Sequence, residues 1–194
     1  TSVATLTTTG SFAAAKDQSK AVDLLLGLAS YTLRKLSLDD VIKVAVRLNL
    51  KGIALKSMHM PLEATPEETK AAAEKVRAAG LKLYGAGVIY MTTAQEADTA
   101  FAYAKNAGLE TIIGVPNHEL LPQVNELVKK NNIKLAIHNH GPGDDLYRSP
   151  NNVLDKIKDL DKRIGLCIDI GHVVRIGEDP IPMIKKYRVP LYDM

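Results

Sequence analysis

Short apolar runs alternate with amphipathic, helix-like segments along nearly the whole of this chain, and that alternation leaves few folds open. Leu24 to Ser30 is the first apolar run. Ser37-Leu38-Asp39-Asp40 then opens a segment in which Val41, Ile42, Val44, Ala45 and Leu48 recur at helical spacing, with Ser37 placed to cap it. Gly52 to Lys56 reads as the second strand. Thr65-Pro66-Glu67-Glu68 supplies a cap, a first-turn proline and an acidic first turn for a helix that runs to the stop at Gly80. Leu81 to Ile89, Thr111 to Val115, Ile133 to His138 and Ile164 to Ile168 continue the strands. The helices between and after them are expected from about Ala94 to Asn106, after Pro116, from about Ser149 to Leu160 and near Ile181 to Tyr187. Pro190 to Met194 looks like a seventh strand beginning.

Repeated strand-helix units with short loops require a parallel sheet covered by helices. Two folds meet that requirement. An open doubly wound sheet usually carries a Gly-rich phosphate loop after its first strand, and Leu28-Ala29-Ser30-Tyr31-Thr32-Leu33 has none. Polar residues instead collect after strands two, five and six: Lys56 and His59, then His138 and His140, then Asp169 and His172. Residues drawn from several strand ends are the habit of the eight-stranded (β/α)8 barrel, although the strand count here reaches only seven. In Leu135-Ala136-Ile137-His138-Asn139-His140-Gly141 the two imidazoles at i and i+2 point to one side of a strand. Cys167-Ile168-Asp169-Ile170-Gly171-His172 delivers a carboxylate and an imidazole three residues apart where an apolar strand ends. Together these stretches read as a metal or acid/base site.

With 194 residues, 46% of them apolar and 24% charged, the chain can bury one proper core, expected over residues 21–194. A net charge of +3, spread without a cluster of like charges, argues against a nucleic-acid partner. The lone Cys167 excludes an internal disulfide and reads as a small buried hydrophobe. Residues 1–15 carry no charge, are rich in Thr and Ala, and end in an A-x-A pattern, so residues 1–20 are expected to be the remnant of an export signal with a periplasmic address. If they are instead a Thr/Ala-rich tail, the protein is cytoplasmic. No segment approaches the roughly 18 apolar residues of a membrane span.

The succession of Lys56-Ser57-Met58-His59-Met60-Pro61, Ile112-Ile113-Gly114-Val115-Pro116, His138-Asn139-His140-Gly141-Pro142 and Asp169-Ile170-Gly171-His172 resembles the xylose-isomerase-like barrel superfamily. Within it the sequence is similar to the sugar phosphate isomerases/epimerases, a group often exported with twin-arginine signals. The resemblance covers about residues 24–194, six βα units and the start of strand seven. It implies a (β/α)8 TIM barrel with one divalent metal ion, Mn, Co, Mg or Zn, at the carboxyl ends of its strands. Asp169 matches the family's metal-binding aspartate after strand six, and His172 the histidine that holds substrate oxygens. After strand five most members place a glutamate ligand, where this chain has His138 and, two residues on, His140. The resemblance thus implies a metal held by His138, His140 and Asp169, with His172 and His140 catalytic. Lys56, His59, His172 and Arg175 would bind a small sugar or keto-sugar. The family's remaining ligands, a histidine ending strand seven and a glutamate ending strand eight, fall beyond Met194. The sequence is therefore expected to be a piece of a longer chain, inactive alone.

The implied reaction is proton transfer next to a carbonyl through an enediolate, as in a sugar isomerase or epimerase. Two alternatives remain open: a metal-dependent lyase or hydratase on keto-sugars or keto-glycosides, and a carbohydrate-binding barrel without chemistry. The oligomeric state, monomer or homo-oligomer, is also open. Around the site, Tyr84 reads as core or wall packing, and Tyr90, near the rim, as wall packing with sugar stacking as the alternative. His118 reads as an exposed helix start. Arg175 and Glu178 lie in a loop after strand six. Asp144, Asp145 and Arg148 lie in a loop after strand five that would serve as a lid.

Overall fold

A computed structural model of the protein describes residues 26–187 and 190–194. Its strands are β1 (Gly27–Ala29), β2 (Gly52–Leu55), β3 (Lys82–Met91), β4 (Thr111–Pro116), β5 (Lys134–His138), β6 (Ile164–Cys167) and β7 (Leu191–Asp193). They form one sheet in the order of the sequence, every neighbouring pair parallel. The helices are α1 (Leu38–Arg47), α2 (Pro66–Ala78), α3 (Ala94–Ala107), α4 (Leu121–Asn131), α5 (Pro150–Ile157), α6 (Ile170–Arg175) and α7 (Pro180–Lys186). Short 3-10 turns follow β1 at Ser30–Leu33 and β4 at His118–Leu120. The expected export signal lies outside the described residues. Among the described residues no helix is long and apolar enough to cross a membrane.

The helix starts follow the expected chemistry. Ser37 accepts from Asp40 N–H at the start of α1, and Thr65 with Glu68 closes a reciprocal capping box at α2. Thr93 with Glu96 and Ser149 with Asn152 do the same at α3 and α5. At the other end of α3, Gly108 takes the left-handed conformation that a helix stop favours. One element departs from expectation: the segment after β6 is helix α6 rather than loop, because the Asp169 carboxylate caps it by accepting from His172 N–H at 2.9 Å.

Strand alternation sorts side chains to two faces. Ile53, Leu55, Ile112, Leu135, Ile137 and Leu166 pack outward with Val41, Ala73, Phe101, Ala104 and Val124 from the helices, forming the larger core. Ala54, Ile113, Ala136 and Cys167 face inward, with Tyr84, Val88 and Tyr192 packed on them. Glycines make the room: a Cβ on Gly27 or Gly52 would stand 2.9 or 3.1 Å from the Tyr84 ring. The curl of the sheet brings the Tyr84 hydroxyl of β3 to Asp193 Oδ1 of β7, to which it donates at 3.4 Å. Seven parallel strands thus form most of a barrel wall around a filled interior, and their carboxyl ends share one rim.

Candidate functional site

A cavity of about 270 Å³ opens at that rim. Residues of all seven strands or of the turns that follow them line it, among them Ala29, Lys56, Val88, Ile113, His138, Asp169 and Asp193. His138 follows the inward-facing Ala136 by one strand period, and this alone places its ring in the mouth. His140 lies one further period on, and the two rings stand 4.6 Å apart. His172 completes a triangle, its ring centroid 5.9 Å from His138 and 5.7 Å from His140. The three imidazoles expected from sequence therefore do converge, although His172 comes from a different strand end.

Asp169 sits among them. Its Oδ1 caps α6, while Oδ2 lies 3.4 Å from His138 Nε2 and 3.9 Å from His172 Nε2. His138 Nδ1 is buried with no partner among the described residues. Burial, reinforced by the positive charge that His140, Lys56 and His172 would add, pushes the His138 pKa down to about 4, against the pull of Asp169. Burial also lowers the His140 pKa, opposed by Asp144. Both rings are thus neutral at physiological pH, with lone pairs to offer. At the cavity wall, burial lowers the Lys56 pKa.

His140 is held from both sides. The Tyr90 ring stacks on it at 5.6 Å with its hydroxyl 3.1 Å from Nε2, and Asp144 Oδ2 stands 3.4 Å from Nδ1, outside hydrogen-bond geometry. Arg175 lies on α6 and donates to His172 Nδ1 at 3.4 Å, which turns Nε2 toward Asp169. At Gly141, φ is +77° and a Cβ would meet His172 at 3.1 Å, so the turn after β5 presses directly on the catalytic histidine candidate.

Two expected residues and one loop behave otherwise. His59 is 6% exposed, with Nδ1 2.8 Å from Ser30 Oγ and Nε2 3.1 Å from the Leu36 carbonyl. Since Ser30 Oγ also accepts from Lys56 N–H at 2.9 Å, His59 ties the ends of β1 and β2 together and has no ring nitrogen left for a substrate. His118 is half-buried rather than exposed, edge-on to Tyr147 at 5.1 Å and 3.1 Å from the Leu146 carbonyl. The loop after β5 is pinned rather than free to act as a lid. Asp144 accepts from the Leu146 and Tyr147 amides, and the fully buried Tyr147 donates to the Pro116 carbonyl at 2.9 Å.

Two residues without a role in the sequence reading belong to the site. Asn139 is 1% exposed and bridges β5 to Asp169. Asp193 lines the cavity, receives the Tyr84 hydroxyl and the Cys167 thiol, and has its pKa raised by burial. Alternation along Leu191-Tyr192-Asp193 gave no signal for the second: Leu191 packs on the outer core, and an irregular register sets Asp193 opposite the inward-facing Cys167, so that Asp193 as well as Tyr192 meets the interior. A divalent ion finds suitable donor chemistry in His138 and Asp169, a neutral imidazole beside a carboxylate. Among the described residues, however, no three His, Cys, Asp or Glu side chains have the geometry to hold one.

No protein-family model matches the chain, and no curated protein matches it. Solved structures do. An uncharacterized protein of Parabacteroides distasonis superposes with a TM-score of 0.73 at 24% identity, over 88% of this chain and 73% of that one. A xylose isomerase domain-containing protein of Salmonella typhimurium gives 0.63 at 12% identity, over 80% of this chain and 64% of that one. A D-tagatose 3-epimerase-like protein gives 0.65 at 17% identity, over 85% and 72%. The chain thus spans between 64% and 73% of the length of these three structures. At such identities the likeness concerns architecture, and the seven-stranded parallel wall has the fold of the xylose isomerase-like TIM barrels.

Proposed function

We propose that the protein is a sugar isomerase or epimerase that moves a proton at the carbon next to a carbonyl, with a divalent ion held by His138 and Asp169. The observation that carries this reading is the convergence of three imidazoles and one carboxylate at the strand ends, where His138 and Asp169 line a cavity. The xylose isomerase-like fold, shared with an epimerase-like protein, supports it. When bound, the ion would supply positive charge next to two adjacent substrate oxygens.

The remaining work falls to the chain's own residues. His172, with Nδ1 accepting from Arg175, carries its proton on Nε2 and offers it to a substrate oxygen. Lys56, whose ammonium lines the cavity, donates to a carbonyl or hydroxyl oxygen on the β2 side. The resemblance implies a glutamate ligand after strand five, and this chain has His138 there, so no carboxylate base stands at that corner. Asp193 supplies a carboxyl across the cavity, held from within by Tyr84 and Cys167, and is the base of this scheme.

Incubating the full-length protein with a panel of aldoses and ketoses in D2O tests the reading. Deuterium should appear at the carbon beside the carbonyl, and a chelator should abolish it. Loss of water or of an aglycone would transfer the protein to the lyases, and sugar binding without exchange, indifferent to chelator, would leave a carbohydrate-binding barrel.

A further inference from the structure

The His138-Asn139-His140 triplet divides its labour by strand alternation: the two rings stand together at the rim, His138 lining the cavity, and the amide between them faces the next strand end. Asn139 Oδ1 accepts from Asp169 N–H at 2.9 Å, and its Nδ2 donates to the Asp169 carbonyl at 3.3 Å. Both polar ends of one buried amide therefore close on the backbone of a single residue. That residue's Oδ1 is already committed to His172 N–H, the start of α6. Only Oδ2 remains to face His138 and His172.

The geometry points to Asn139 as the positioning residue of the site. By clamping the Asp169 backbone it fixes the cap of α6, and through that cap it sets both the place of His172 and the aim of the single carboxylate oxygen offered to a ligand. A buried amide is well suited to this, because an unpaired donor or acceptor at that depth is costly and only one orientation satisfies both ends. Asp169 accordingly behaves as a one-oxygen donor. The inference rests on the proposed chemistry only in taking Oδ2 as the atom a ligand meets.

Amide hydrogen exchange, read by NMR on the ligand-free protein, tests it with two variants. Asn139→Leu fills the space without polar atoms. The amides of Asp169 and His172 should then exchange about tenfold faster or more, while amides in the middle of β5 and β6 keep their protection. Asn139→Asp retains an acceptor for Asp169 N–H and should restore both amides to within about threefold of the native protein. A His172 amide that stays protected in the Leu variant overturns the inference, as does loss spread evenly over β5 and β6. Should the Leu variant not fold, Asn139→Ala takes its place with the same expected and overturning results. Because exchange is read without substrate or ion, a negative D2O assay would remove the proposed reaction and leave this result standing.

Discussion

His138 carries the clearest pH signature at the scale of single residues. The folded protein keeps its imidazole neutral down to about pH 4, whereas an unfolded chain protonates it near 6.5, so between these values the unfolded state binds the extra proton. The stability this group contributes is complete above about pH 6.5 and is lost as the pH falls toward 4. Urea unfolding at pH 7 and pH 4.5 should differ by about 1–3 kcal/mol from this source, and His138→Gln should remove that part of the difference. A slope unchanged in the variant would locate the acid sensitivity elsewhere. Gly141→Ala forces a side chain into a left-handed conformation against His172, and should cost roughly 1–2 kcal/mol in the same assay while displacing the imidazole. His138, His140, Asp169 and His172 were legible in the sequence because each lies where an apolar strand ends. His59 was not, since its burial depends on Ser30 and Leu36, 29 and 23 residues away, which no local pattern announces.

Among the elements, α6 shows how one carboxylate serves structure and site together. Asp169→Asn keeps an oxygen that can cap the helix, so it should unfold within about 0.5 kcal/mol of the native protein. Asp169→Ala should lose about 1 kcal/mol more. Deuterium wash-in should fall in both by at least about 100-fold, because both remove the charge that faces His138 and His172. Equal stabilities for the two variants would mean that the cap contributes nothing. The helices α1, α2 and α3 could be bounded from sequence to within a residue or two, since Ser37, Thr65 and Gly108 each terminate a helix by local chemistry. The segment after β6 offered only an aspartate three residues before a histidine, a spacing that reads equally well as a ligand pair. It is a helix cap as well, and a pattern of residue types does not separate the two uses.

The molecule as a whole is organised around its filled interior. Tyr84 occupies space that Gly27 and Gly52 leave free, and its hydroxyl reaches across to Asp193. Tyr84→Phe removes only that hydrogen bond and should cost about 1 kcal/mol or less. Tyr84→Ala empties the interior and should cost roughly 3–5 kcal/mol, measured by denaturant unfolding. Near-equal losses would show that the hydroxyl, not the ring, holds the curl. The parallel wall was legible because each strand is a short apolar run between helices. Tyr84 reads as core or wall packing and is so placed, but the space that receives its ring was not legible, since it depends on Gly27 and Gly52 in other strands. The sheet order has a further consequence, in time rather than in space. Every strand pairs with its neighbour in sequence, so the wall can grow as the chain leaves the ribosome, each new unit docking on the last without waiting for distant partners. The tie between Tyr84 and Asp193 spans 109 residues, and can form only once the chain has been made through β7. Assembly is therefore expected to be progressive along the wall and late across it, so that the mouth takes its shape after β1 to β6 have already paired.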